Sequence, residues 1–134
     1  MNRGLRIAFD LNTFLTFAAL IILAAKPDLL PAGVGIHTND TAQLIGLMLG
    51  AAEWGIATIT FFGRRLKDVQ ALRAISSGVI VLHLATACVL MYIFLSGRSD
   101  NPVGLWANVL IPRFGIASLC AYFGLYKTSK WSTR

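Results

Sequence analysis

Charged residues are scarce in this chain. Asp, Glu, Lys and Arg together make up only 13% of its 134 residues, against about 25% in an ordinary soluble domain. Hydrophobic residues make up 56%, and the mean hydropathy is +0.67. A small soluble domain leaves much of its surface in water, so it has no place for this much apolar surface. The composition therefore excludes a free cytosolic enzyme, a disordered regulator and a nucleic-acid-binding domain.

Residues with a recognisable reaction chemistry are equally few. The chain has two cysteines and two histidines. It has no CxxC pair, and the cysteines fall at different depths of the apolar runs, so we expect no disulfide. No P-loop, dinucleotide fingerprint, nucleophile elbow or HExxH motif occurs. His37 and Asp40 are too few ligands for catalytic zinc, which takes three from the protein. The sequence predicts no catalytic residue, no metal site and no bound cofactor apart from lipid.

Long apolar runs are what the sequence has instead. Each of the four runs is close to the ~20 residues that a helix needs to cross a ~30 Å hydrocarbon core. Loops rich in Gly, Pro and polar residues separate them. The runs do not alternate with polar residues, which favours helices over barrel strands. We predict an all-α fold, an integral membrane four-helix bundle forming one domain over residues 1–134. The predicted spans are residues 5–25, 42–62, 71–95 and 103–126.

The first run has some features of a secretory signal peptide. Arg3 and Arg6 precede the apolar stretch, which ends in small residues. Asp10 and Asn12 interrupt the stretch, however, and a signal peptide has an uninterrupted apolar centre. We therefore expect this run to be retained as a membrane span.

The basic residues predict the orientation in the membrane. With four spans, the N-terminus, the second loop and the C-terminus lie on one side, and nine basic residues lie there: Arg3, Arg6, Arg64, Arg65, Lys67, Arg73, Lys127, Lys130 and Arg134. The other side has only Lys26 and Arg98. The positive-inside rule then places both termini in the cytoplasm. The net charge of +6 is explained by orientation and by attraction to anionic lipids, with no need for nucleic acid.

Three ionisable residues fall near the centres of three different spans. They are Glu53, His83 and Arg113. Facing lipid, a charge at this depth costs ~2.5–3.5 kcal/mol on insertion scales. We expect all three to point inward and to satisfy one another. Nearer the cytoplasmic surface, Arg6 and Asp10 are four residues apart and are expected to pair locally.

Two interpretations of the central residues remain open. In the structural one, Glu53 pairs with Arg113, His83 donates to a carbonyl or to Glu53, and the cluster fixes the helix register. In the functional one, the cluster is a proton or ligand site, because a desolvated Glu and a His both exchange protons near neutral pH. Ligation of haem or chlorophyll by His83 is disfavoured, since a bis-histidine haem needs a second histidine at that depth. Pro112 is either a tolerated kink or a hinge.

Small residues form stripes on two of the predicted helices. In the second span, Gly46, Gly50 and Ala57 share a face with Glu53. In the fourth span, Ala117 and Gly124 share a face with Arg113. Small residues let helices approach closely in membranes. We expect these five residues to be helix-packing positions.

The middle of the chain carries a family resemblance. A small-residue span from Gly46 to Gly63 is followed by the basic turn Gly63-Arg64-Arg65, by Leu72-Arg73 and by His83. This third of the chain resembles small four-helix bacterial inner-membrane proteins, most of them uncharacterised. The resemblance implies a multi-pass protein of the bacterial inner membrane and supplies no activity.

The leading functional hypothesis is a non-catalytic accessory or assembly subunit. Its partners are other membrane subunits, for example of a respiratory or photosynthetic complex, or further copies of itself, within the lipid bilayer. The alternative is a small proton-coupled transporter that uses Glu53 as the titrating group and Arg113 as the substrate partner or counter-ion. A third option is an enzyme that binds a lipid-like substrate near His83.

Overall fold

The computed structural model describes residues 3–37 and 39–127 of the chain. Every regular element in these ranges is helical, which confirms the all-α prediction. Lys130 and Arg134, two of the residues behind the orientation prediction, lie outside the described residues.

Three of the helices are long and apolar enough to cross a membrane. They are α1 (Arg3–Ala25), the Gln43–Gly63 part of α3 (Asp40–Gly63), and α4 (Val69–Leu95). A short helix, α2 (Leu29–Gly33), lies in the loop between the first two. α4 begins where the Asp68 carboxylate accepts a hydrogen bond from the Gln70 backbone N–H at 3.0 Å, which satisfies a donor that the helix itself leaves unpaired.

The fourth apolar run is helical but is not one α-helix. Its four pieces, together called the fourth segment, are α5 (Pro102–Leu105), π1 (Trp106–Leu110), α6 (Ile111–Cys120) and π2 (Ala121–Tyr126). Pro112 follows π1 closely. It has no N–H to donate to the carbonyl of Asn108, and its ring crowds that carbonyl. A wider π turn just before the proline accommodates both effects, so the helix changes type next to Pro112.

The helices pack as two hairpins. α1 packs mainly against α3, and α4 packs mainly against α6 and π2. The hairpins meet where α1 contacts α6 and where α3 contacts α4. Two apolar clusters fill the interior, one around Phe9 and Leu72 and one around Ala87 and Leu105. On α4, His83 lies between the residues of the first cluster and those of the second.

A set of hydrogen bonds joins the loop between α1 and α3 to the loop between α4 and α5. The Ser99 hydroxyl donates to the Val34 carbonyl at 2.6 Å, and the Asp100 N–H donates to the Gly35 carbonyl at 2.9 Å. His37 Nε2 lies 3.2 Å from the Asp100 carboxylate. Gly35 has a φ of +68°, a left-handed conformation that glycine adopts without strain. We call this contact the loop clasp.

Candidate functional site

An ion pair joins α3 to the fourth segment. Arg113 Nη2 donates to Glu53 Oε1 at 2.8 Å. The side chains are only 19% and 13% exposed, respectively. The pairing expected from the shared depth of these residues is therefore present. A charge-assisted hydrogen bond of this length in surroundings with little water is strong.

His83 joins α4 to α1. Its Nε2 lies 2.7 Å from Oδ1 of Asn12, and the two residues are 5% and 1% exposed. An amide oxygen only accepts, so Nε2 carries the hydrogen and donates. Nδ1 then has its lone pair toward Arg113, whose Nη1 lies 3.5 Å away. This arrangement suits a neutral imidazole, because a second ring N–H would point at the guanidinium.

Of the two acceptors expected for His83, a carbonyl or Glu53, the structure has a carbonyl. This carbonyl belongs to the side chain of Asn12, and Arg113 makes a longer contact with the other ring nitrogen. The rotations of α1 and α4 about their axes bring the amide and the imidazole together, and hydropathy carries no information on that rotation. Asn12 was the missed residue. An uncharged amide inside an apolar run was the available signal, since such a group needs a partner in lipid.

Hydroxyl groups continue the chain of contacts along α1 and α3. Asn12 Nδ2 donates to Thr60 Oγ1 at 3.1 Å, and Thr60 donates to the Ala57 carbonyl at 2.9 Å. The Thr13 hydroxyl lies 3.0 Å from that of Thr60 and 3.2 Å from the same carbonyl. The resulting polar network consists of Glu53, Arg113, His83, Asn12, Thr60 and Thr13. Among the side chains that the structure describes, which exclude those of residues 42 and 108, every buried nitrogen and oxygen has a hydrogen-bond partner.

The polar network ties the two hairpins together. Its two strongest contacts run from Glu53 on α3 to Arg113 on α6, and from Asn12 on α1 to His83 on α4. Neither pair of helices forms one of the main packing contacts. Polar side chains therefore add contacts between pairs of helices whose backbones make few close approaches.

A cavity of about 150 Å³ opens beside the ion pair. We call it the ion-pair cavity; Glu53 and Arg113 line it together with Gly46, Gly50 and apolar residues of α1. A Cβ added at Gly50 would lie 3.1 Å from Leu23, whereas one added at Gly46 would meet nothing within 4 Å. Gly50 is thus a packing position against α1, and Gly46 borders open space.

The three other predicted packing positions are Ala57, Ala117 and Gly124. Ala57 and Ala117 are buried. Gly124 lies directly against Ser76 of α4, where an added Cβ would overlap the serine side chain. Gly124 thus lies at a close approach to α4, and the Ala57 carbonyl accepts a hydrogen bond from Thr13 of α1.

Asp10 has a better partner than the expected one. Its carboxylate is 4.0 Å from Arg6 Nε but accepts a hydrogen bond from Arg64 Nη1 at 2.9 Å. The Arg64 guanidinium also lies over the Phe61 ring, 4.0 Å from its centroid. From the sequence, Arg64 was only an orientation signal, because nothing local brings it near α1.

The described residues contain no group of three or more His, Cys, Asp or Glu side chains that could hold a metal ion. Both ring nitrogens of His83 already face polar partners. Ligation of haem or chlorophyll through Nε2 would require His83 to give up Asn12. The site instead offers an acid, a neutral imidazole and a guanidinium beside a small cavity.

Comparison with protein-family models, with curated proteins and with solved structures gave no match to this chain.

Proposed function

We propose that the chain is a multi-pass protein of the bacterial inner membrane in which the fourth segment completes a four-helix bundle. The contact of Arg113 with Glu53, which lies within the membrane-length part of α3, supports a common depth for both. The basic residues of the α3–α4 turn, such as Arg64 and Arg65, support cytoplasmic termini under the positive-inside rule.

Within that membrane, we propose that the protein is a non-catalytic accessory or assembly subunit that docks through α3. The observation that carries this proposal is the outward face of α3. Only 11% of the residues in its most apolar stretch are buried. The face exposes Leu44, Met48, Ile59 and Phe62.

The centre of this face suits helix docking. Ala51 and Gly55 lie four residues apart and are both exposed. A Cβ added at Gly55 would meet nothing within 4 Å. Small residues at this spacing let a second helix approach closely in a membrane. Contact with lipid does not require small residues. The buried polar atoms of the polar network, in contrast, already have hydrogen-bond partners within the chain, so they need no further ligand.

The test is purification from the native membrane in a mild detergent, with partners identified by mass spectrometry and a visible absorption spectrum recorded. Gly55→Leu is the disruptive variant. Gly78→Leu is the matched control, because Gly78 is an exposed glycine of α4 and an added Cβ there also meets nothing within 4 Å. We expect a stoichiometric membrane complex with the wild type and the control, and its loss with Gly55→Leu.

Two results would contradict this proposal. If Gly55→Leu keeps the complex intact, α3 is not the docking face. If the wild type purifies as a colourless homo-oligomer without another subunit, the accessory role itself is wrong.

The ion-pair cavity favours a second candidate, a small proton-coupled carrier. Glu53 and Arg113 line this cavity, so a solute that enters it meets both charges. In proteoliposomes with an internal pH-sensitive dye, Glu53→Gln should then abolish proton flux that the wild type supports. Asp40→Asn, at an exposed carboxylate of the first turn of α3, should leave it unchanged. Proton flux through wild-type vesicles no faster than through protein-free vesicles would reject the carrier.

A further inference from the structure

A second hollow lies along the α1–α3 contact. It is an open groove of about 580 Å³, within the ~300–1,000 Å³ typical of ligand sites. Its walls are mainly aromatic, and we call it the aromatic groove; they include Phe14, Phe17, Phe61 and Phe62. Phe14 and Phe62 are largely exposed, so the groove faces outward from the helices. It is separate from the ion-pair cavity, with which it shares no lining residue.

Charged groups line the groove where α3 ends. Arg64 follows the last residue of α3, and both Arg64 and Asp10 line the groove. The Asp10 carboxylate has Arg64 at 2.9 Å and Arg6 at 4.0 Å. Two guanidinium groups thus surround one carboxylate and leave a net positive charge. The Arg6 side chain is 66% exposed, so an anion can reach it from solvent.

We propose that the aromatic groove binds one anionic phospholipid. An acyl chain lies along the phenylalanine walls, and the phosphate is held by Arg64 and Arg6. The aromatic walls suit a hydrocarbon chain, and guanidinium groups pair well with phosphate oxygens. The charge balance selects the lipid class, because an anionic headgroup neutralises the excess positive charge and a zwitterionic one does not. This site does not require the docking function proposed above, although Phe62 belongs to both surfaces.

Trp54 provides the reporter for a test. Its ring lies 5.7 Å from that of Phe17, which lines the groove. In a Trp106→Phe, Trp131→Phe background, Trp54 is the remaining tryptophan. Phosphatidylglycerol and phosphatidylcholine with the same brominated acyl chains are titrated into the purified protein in detergent, and quenching of Trp54 fluorescence is recorded.

We expect half-maximal quenching at about five-fold lower concentration of the anionic lipid, because one arginine near an anionic lipid contributes about 1 kcal/mol. Arg64→Gln should remove the preference. Arg65→Gln should keep it, since Arg65 is adjacent in sequence but neither lines the groove nor pairs with Asp10 among the described ion pairs, whereas Arg6, also outside the lining, does pair with Asp10. Arg6→Gln, which leaves the Asp10–Arg64 contact in place, should reduce the preference and serves as the test if Arg64→Gln does not fold.

Three results would overturn the proposal. Equal quenching of the wild type by the two lipids would show that the groove does not select a headgroup. A loss of preference in Arg65→Gln as large as in Arg64→Gln would assign the effect to general surface charge. Removal of the preference by inorganic phosphate, at matched ionic strength, would show that the arginines select free phosphate and not the headgroup of a lipid bound in the groove.

Discussion

Neutralising Glu53 should cost the protein much of its stability. Glu53→Gln keeps the size of the side chain but leaves the Arg113 guanidinium charged and 19% exposed, without its carboxylate partner. Breaking a buried ion pair by removing one member costs ~3–5 kcal/mol. The pair is not fully enclosed, because the ion-pair cavity opens beside it, and this lowers that penalty. We therefore expect a loss of ~2–3 kcal/mol in the free energy of unfolding.

A double-mutant cycle measures the contact itself. Glu53→Gln, Arg113→Gln and the double variant are unfolded reversibly by SDS in mixed micelles. The double variant holds no uncompensated charge, so its loss should be smaller than the two single losses added together. We expect a coupling energy of at least ~1 kcal/mol. Asp40→Asn, the exposed control, should lie within ~0.5 kcal/mol of the wild type.

A Glu53→Gln variant no less stable than Asp40→Asn would show that the ion pair does not stabilise the protein. Additive losses in the double variant would show that the two side chains do not interact.

Three further predictions concern other parts of the chain. Asn12→Leu removes polar contacts to both α3 and α4 and should lower the free energy of unfolding by ~1–2 kcal/mol. Gly124→Ala should cost ~1–3 kcal/mol in the same assay because the added methyl has no room, whereas Gly46→Ala should change it by less than ~0.5 kcal/mol. In a cysteine-free background, a membrane-impermeant maleimide should label Arg65→Cys only from the cytoplasmic side and Arg98→Cys only from the opposite side; the reverse pattern would contradict the orientation.

The position of Glu53 and Arg113 along the helices was predictable from the sequence, and rotation about the helix axis was not. Hydropathy locates the centre of each apolar run, so Glu53 and Arg113 could be placed at one level and paired. The contact of His83 with Asn12 depends on which way α1 and α4 face each other. Many weak packing contacts set that rotation, and one periodic pattern does not encode it.

The spacing of small residues in the sequence also did not show which of them pack against a neighbouring helix. Gly46 and Gly50 share a stripe, yet Gly50 packs against α1 and Gly46 borders the ion-pair cavity. The difference comes from the bulk of Leu20 and Leu23 on the neighbouring helix. Likewise, Pro112 predicted that the helix of the fourth segment is irregular. It did not predict the π turns, whose formation depends on how that segment packs.

The contact between Glu53 and Arg113 has a consequence for biosynthesis. Ribosomes make the chain from its N-terminus, so α1, α3 and α4 leave the ribosome before Arg113. An arginine at the centre of an inserting helix costs ~2.5–3.5 kcal/mol, and Pro112 adds a further obstacle next to it. In the four-helix bundle proposed above, Glu53 is already inside the bilayer when Arg113 inserts, so the two side chains can pair immediately. In that bundle the earlier helices would act as a template for insertion of the last segment, and a chain without Glu53 would leave that segment outside the bilayer more often.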